Sequence, residues 1–169
     1  MGDLMAIAQR EIEQLVRQSV LNELGAMLLY TRLADRVGPG EAGSLLRILA
    51  AAEENHIGRL TELVAMLGAD AASALDKVGF VSALRHEANR QLEDQLHELG
   101  LSEASTVGEL LTFAVSTETR AGDHYERLAT HASDPRIRDF FSTLVLEEAG
   151  HAQQLESLRR MLEVSSPER

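Results

Sequence analysis

Cysteine and tryptophan are absent from the 169 residues, proline occurs three times, and aromatics make up only 4% of the chain. Without cysteine there is no disulfide framework, no thiolate-held zinc or iron–sulfur cluster, and no thiol nucleophile. Positive charge is also scarce. The formal net charge of −11 argues against nucleic acid and anionic membranes as partners, because both require basic patches. No apolar run is long enough to span a bilayer. The first residues include Asp3, Glu11 and Glu13 instead of the cationic and then apolar layout of a signal peptide. Met1-Gly2 is followed by Ala6, where an acylation motif requires Ser or Thr. The expectation is a soluble, cytoplasmic protein.

What the chain does contain is Leu, Ala and Glu in abundance, the composition of an all-α protein, at a length that fits a single domain over 1–169. Punctuation is sparse. Gly38-Pro39-Gly40 separates two long helical patterns, Gly68 closes the second, and Ser133-Asp134-Pro135 separates two more. Asp134 is a natural N-cap with Pro135 at the first helical position, and Thr106 with Glu109 forms a capping box. The spacing predicts helices over about 4–37, 41–67, 106–132 and 134–163. A further helix over about 78–99, closed by Gly100, lies in the link from Ala69 to Ser105. At 1.5 Å per residue it spans roughly 30 Å, enough to return along a bundle.

The apolar seams repeat on a 3-4 spacing. The first helix carries Val16, Ser19, Glu23, Ala26, Tyr30, Leu33 and Val37, and the third main helix carries Leu111, Ala114, Glu118, Ala121, Tyr125, Leu128 and Ala132. The second carries Leu46, Leu49, Glu53, His56, Leu60, Leu63 and Leu67, and the last carries Phe141, Leu144, Glu148, His151, Leu155, Leu158 and Leu162. Adding 95 to each position of the first pair gives the second pair without a gap. The chain is an internal duplication of a helical hairpin. Repeat 1 covers about 10–68, the crossover about 69–105, and repeat 2 about 106–163. Two such hairpins predict a four-helix bundle with pseudo-two-fold symmetry.

Four glutamates and two histidines interrupt these core seams: Glu23, Glu53, His56, Glu118, Glu148 and His151. An ionised carboxylate in a core costs several kcal/mol unless it is paired or bound to metal. Four at one depth require cations, and two divalent ions balance four carboxylates. Glu and His three residues apart share a helical face, so Glu53/His56 and Glu148/His151 can each grip an ion, with Glu23 and Glu118 completing the set. A lone Glu-x-x-His occurs readily by chance on a surface. Two copies on the seam, at matching positions of a duplication and each thirty residues after a seam Glu, do not.

This pattern resembles the ferritin-like di-iron carboxylate proteins, which take one Glu from each of two helices and Glu-x-x-His from each of the other two. Among them the chain is most similar to the rubrerythrin-like proteins, on the segments Glu118–Ala129 (ETRAGDHYERLA) and Phe140–His151 (FFSTLVLEEAGH) and on the ligand pattern over about 10–163. The resemblance implies a ferritin-like bundle with a long helical crossover and two iron ions, manganese or a mixed pair remaining open. It also implies oxidation of Fe(II) by O2 or peroxide, with the same six residues carrying the chemistry. The alternative is a non-catalytic iron or divalent-metal binding protein. Two departures stand out. No cysteine is available to hold a rubredoxin-type iron, leaving the electron donor external and unknown, and Ala121 stands where rubrerythrins place a further Glu.

Tyr30 and Tyr125 follow Glu23 and Glu118 by two turns on the same faces, where their hydroxyls are expected to orient ligand carboxylates. Glu54 and Glu147 do not correspond in the repeat and read as solvated flanks, as do His124 and His131. His86, Glu87, Asp94 and His97 read as a solvated face of the crossover. The crossover's apolar positions Val78, Val81, Leu84, Leu92 and Leu99 are expected to be left over for a homodimer contact.

Overall fold

The computed structural model describes residues 2–67, 77–102 and 104–165. Gly68 lies outside them, as do the side chains of Val78 and Leu67. Five helices run in order: α1 (Gly2–Val37), α2 (Glu41–Leu67), α3 (Lys77–Glu98), α4 (Val107–His131) and α5 (Pro135–Ser165). No strand occurs among the described residues, and the chain is an all-α ferritin-like bundle. Every predicted helix is present, with ends shifted by a residue or two, the usual fraying range.

Local chemistry sets the ends. Gly38 has φ 82°, and its N–H reaches Ala34 O at 3.0 Å, a left-handed stop that only glycine adopts without strain. In the same turn the Gly38 carbonyl sits 2.1 Å from where a Cβ on Gly43 would stand, so the return into α2 closes only over a glycine. Gly100, at φ 68°, closes α3 with paired bonds from Leu101 N to Leu96 O (2.8 Å) and Gly100 N to His97 O (3.0 Å). The Thr106 capping box is complete, and the Asp134 carboxylate accepts from Arg136 N at 2.8 Å.

The two hairpins, α1–α2 and α4–α5, pack closely within themselves, whereas α2 and α5 touch each other sparsely. α1 is the organising strut, contacting α4 across the bundle and α3 on the outside. The core is built by the predicted seams: Leu33, Leu46, Leu49, Leu60, Leu111, Leu144 and Leu155 are all buried. Each fully buried leucine contributes about 1.5–3 kcal/mol of transfer free energy. One expectation fails here. The apolar face of α3 is not left over, because Leu84 and Leu92 are buried along with Ala88 and Leu96, while Val81 is half-buried and Leu99 stays exposed. The crossover spends its apolar side on its own bundle.

Candidate metal centre

Each seam carboxylate arrives at mid-bundle because the 3-4 period that buries its leucine neighbours buries it too. Glu23, Glu53, His56, Glu118, Glu148 and His151 are all buried, with Glu53 fully so. They assemble into two overlapping groups. Ligand atoms of Glu23, Glu53, His56 and Glu148 lie within 4.8 Å of one another, and so do those of Glu53, Glu118, Glu148 and His151. Glu53 and Glu148 belong to both. No third group of this kind forms among the described residues, and His86, Asp94 and His97 on the crossover are exposed.

The spacing fits a shared cation better than hydrogen bonding. His56 Nδ1 lies 3.2 Å from Glu23 Oε2, 3.1 Å from Glu53 Oε2 and 3.1 Å from Glu148 Oε1. One ring N–H cannot serve three acceptors. Only the approach to Glu23 has hydrogen-bond geometry, and both oxygens of Glu53 and of Glu148 lack any such partner. Ligands held about 2.1 Å from one ion at roughly 90–110° stand about 3.0–3.4 Å apart. His151 Nδ1 repeats the pattern at 2.9 Å from Glu53 Oε1, 3.5 Å from Glu148 Oε2 and 3.7 Å from Glu118 Oε2, again without a hydrogen bond. The two imidazoles stack with centroids 5.4 Å apart. These orphaned, converging atoms form a donor set of oxygens and imidazole nitrogens that could hold metal.

Without a cation the cluster balances its charge with protons. Burial holds the Glu23 and Glu118 carboxyls well above their usual range, helped by the nearby Glu148 charge. Burial acts the same way on Glu53 and Glu148, but contacts with His151 and His56 outweigh it and lower both. Those contacts overcome the burial of His56 and His151 in turn and push each imidazole up to about 12.

A scan against family sequence models matches the rubrerythrin model to residues 14–159. The chain belongs to the rubrerythrin family. The match covers all six cluster residues. No curated protein and no solved structure gave a match.

Around the rubrerythrin cluster the duplication breaks down. The Tyr125 hydroxyl donates to Glu23 Oε1 across the bundle, as expected of an orienting phenol, and burial first and the Glu23 charge second hold that phenol well above its ordinary range. Tyr30 is equally buried, yet its hydroxyl has no hydrogen-bond partner. Glu147 is not merely a solvated flank. Its Oε2 lies 3.1 Å from His56 Nε2 and accepts from Arg59 Nη1 at 2.7 Å, while Arg59 rests over the Phe140 ring at 5.6 Å. The carboxylate thus stands behind the imidazole whose other nitrogen faces the cluster. Its repeat counterpart is Ala52, so His151 has no such backing. His124 is also drawn inward, with Nε2 3.0 Å from the hydroxyl of buried Ser19.

Proposed function

We propose that this chain is a di-iron carboxylate oxidoreductase that oxidises Fe(II) with O2 or peroxide. The carrying observation is the pair of four-residue groups sharing Glu53 and Glu148, which supports two ions held side by side. Two irons, when bound, supply two electrons at one place, enough to reduce O2 to peroxide with two protons, or peroxide to two waters with two protons. The residues do the rest. Glu53 and Glu148 would be shared by both ions, Glu23 with His56 and Glu118 with His151 would complete the two halves, and the four carboxylates would favour the more highly charged oxidised metal. Tyr125 fixes the Glu23 carboxylate, and Glu147 fixes the His56 ring. The leucine layers above and below keep bulk water from the cluster. With no cysteine in the chain, repeated turnover requires an external reductant.

The test is anaerobic loading with Fe(II) and elemental analysis, followed by stopped-flow mixing with O2 and separately with peroxide. The expected result is about two irons per chain, oxidised as pairs by one equivalent of either oxidant. Stable loading with oxidation no faster than that of free Fe(II) would replace the oxidoreductase reading with metal binding.

A further inference from the structure

A cavity of about 250 Å³ opens between α1, α3 and α4, immediately beside the cluster. Its inner wall includes Ala26 and Ala121, which are also seam residues one turn from Glu23 and Glu118. These two alanines remain 6% and 9% exposed, whereas the next seam residues, Tyr30 and Tyr125, are fully buried. Both alanines are buried, and they close the seam between this cavity and the level of the carboxylates.

The lining has a charge character opposite to that of the chain. In a protein of net charge −11, no carboxylate lines the cavity; its charged groups are Arg120 and Arg127, beside the amides of Asn22, Gln91 and Gln95 and a His124 imidazole that burial and Arg127 hold toward its neutral form. Arg120 bonds only neutral groups, Thr117 Oγ1 at 3.3 Å and Gln95 Oε1 at 3.5 Å, and lies over the Phe113 ring at 5.9 Å. Neither Arg120 nor Arg127 makes an ion pair among the described residues, although many other arginines here do. The remaining wall is apolar: Leu21, Leu29, Leu92 and Phe113. A cleft of one sign over an apolar floor concentrates a counter-ion, and guanidinium groups favour carboxylates in particular.

We propose that this cavity binds a small organic carboxylate, its apolar body against Leu21, Leu29 and Phe113 and its charge toward Arg120 and Arg127. The volume equals about eight waters, which suits a compact acid such as benzoate. The inference deepens the proposed function by giving the cluster a neighbouring organic ligand, and it rests on that reading only for its consequence, not for the binding itself. Ala26 and Ala121 form a wall one methyl group thick, so a bound acid lies beside the residues that would hold the metals.

The experiment uses the full chain without metal, titrated by calorimetry with benzoate, with its uncharged analogue benzamide, and with acetate, which lacks the apolar body. Benzoate is expected to bind at least tenfold more tightly than either control. Arg120→Gln/Arg127→Gln should abolish that preference. Gly25→Leu should remove binding, since Gly25 lines the cavity, a Cβ there meets nothing within 4 Å, and the larger side chain fills space the acid would occupy. Circular dichroism and iron loading of Gly25→Leu check that the bundle and its cluster persist, and failure of loading in the wild type would strike the proposed function alone. Equal affinity for benzoate and benzamide, equal affinity for benzoate and acetate, or undiminished benzoate binding by Gly25→Leu, would each overturn the cavity proposal.

Discussion

Among individual residues, the two shared glutamates and the two end glutamates should differ in consequence. Glu53 and Glu148 each belong to both groups, whereas Glu23 and Glu118 belong to one. Glu53→Ala or Glu148→Ala should therefore lose most of both ions, and Glu23→Ala or Glu118→Ala about one of two, as read by elemental analysis after loading. Glu147 makes a finer test. If it orients His56, Glu147→Gln should weaken the first ion by about tenfold and leave the second unchanged, in a competition titration with a chelator. Equal weakening of both ions would mean that Glu147 acts only through overall charge. The six cluster residues were legible in the sequence because burial of a helical seam is periodic, and an ionisable group in phase with leucines must be compensated. Glu147 was not legible, because it sits off that period and reaches His56 only across the gap between α2 and α5. The unequal roles of Tyr125 and Tyr30 were hidden for a related reason: duplication predicts equal partners, and side-chain packing decides which hydroxyl finds one.

At the scale of elements, the helices followed from their caps and their period, and the turns from their glycines. Gly43 carries the sharpest consequence. A methyl group there would meet the Gly38 carbonyl oxygen at 2.1 Å, so Gly43→Ala must push α1 and α2 apart at their turn. A loss of about 1–3 kcal/mol, the usual range for overpacking, is expected in urea unfolding. Gly58, where a Cβ meets nothing within 4 Å, is the control, and Gly58→Ala should be neutral or mildly stabilising. The packing of α3 was the part of the architecture that sequence left open. Leu84, Ala88 and Leu92 mark an apolar face, but a face does not name the surface that covers it, and here α1 covers it. The cavity on the inner side of α3 arises from that placement together with the small residues Gly25, Ala26 and Ala121.

For the whole molecule, the cluster ties stability to pH in a way that metal should erase. Without metal, Glu23 and Glu118 keep their protons above 4.5 in the folded state, where the unfolded chain releases them, so stability falls as pH rises from there. His56 and His151 contribute fully below their ordinary value of 6.5, and that contribution is lost as pH climbs toward about 12. Glu53 and Glu148 have lowered values, so their contribution is present above 4.5 and is lost as pH falls below it. The metal-free protein should be most stable near pH 4.5, weaken as pH rises from there, and weaken more steeply above about 6.5 in denaturant titrations. Metal requires deprotonated ligands. Two divalent ions entering at pH 6 should release about four protons, one each from Glu23, Glu118, His56 and His151, measurable with an indicator dye. Release of about none would mean that the cluster is already deprotonated and that the charge balance described above is wrong.

The two overlapping groups have a further consequence for how the molecule came to be one chain. Each group takes three residues from its own hairpin and one carboxylate from the other: Glu148 joins Glu23, Glu53 and His56, and Glu53 joins Glu118, Glu148 and His151. Neither hairpin owns a complete set. An ancestral single hairpin could have filled its site only by facing a twin, each lending the other a glutamate, so partnership would have preceded the joining of the two copies. The crossover α3 then reads as the tether that made a reciprocal loan permanent. Once the halves were joined they no longer had to match, and Glu147 opposite Ala52 is the mark of that freedom.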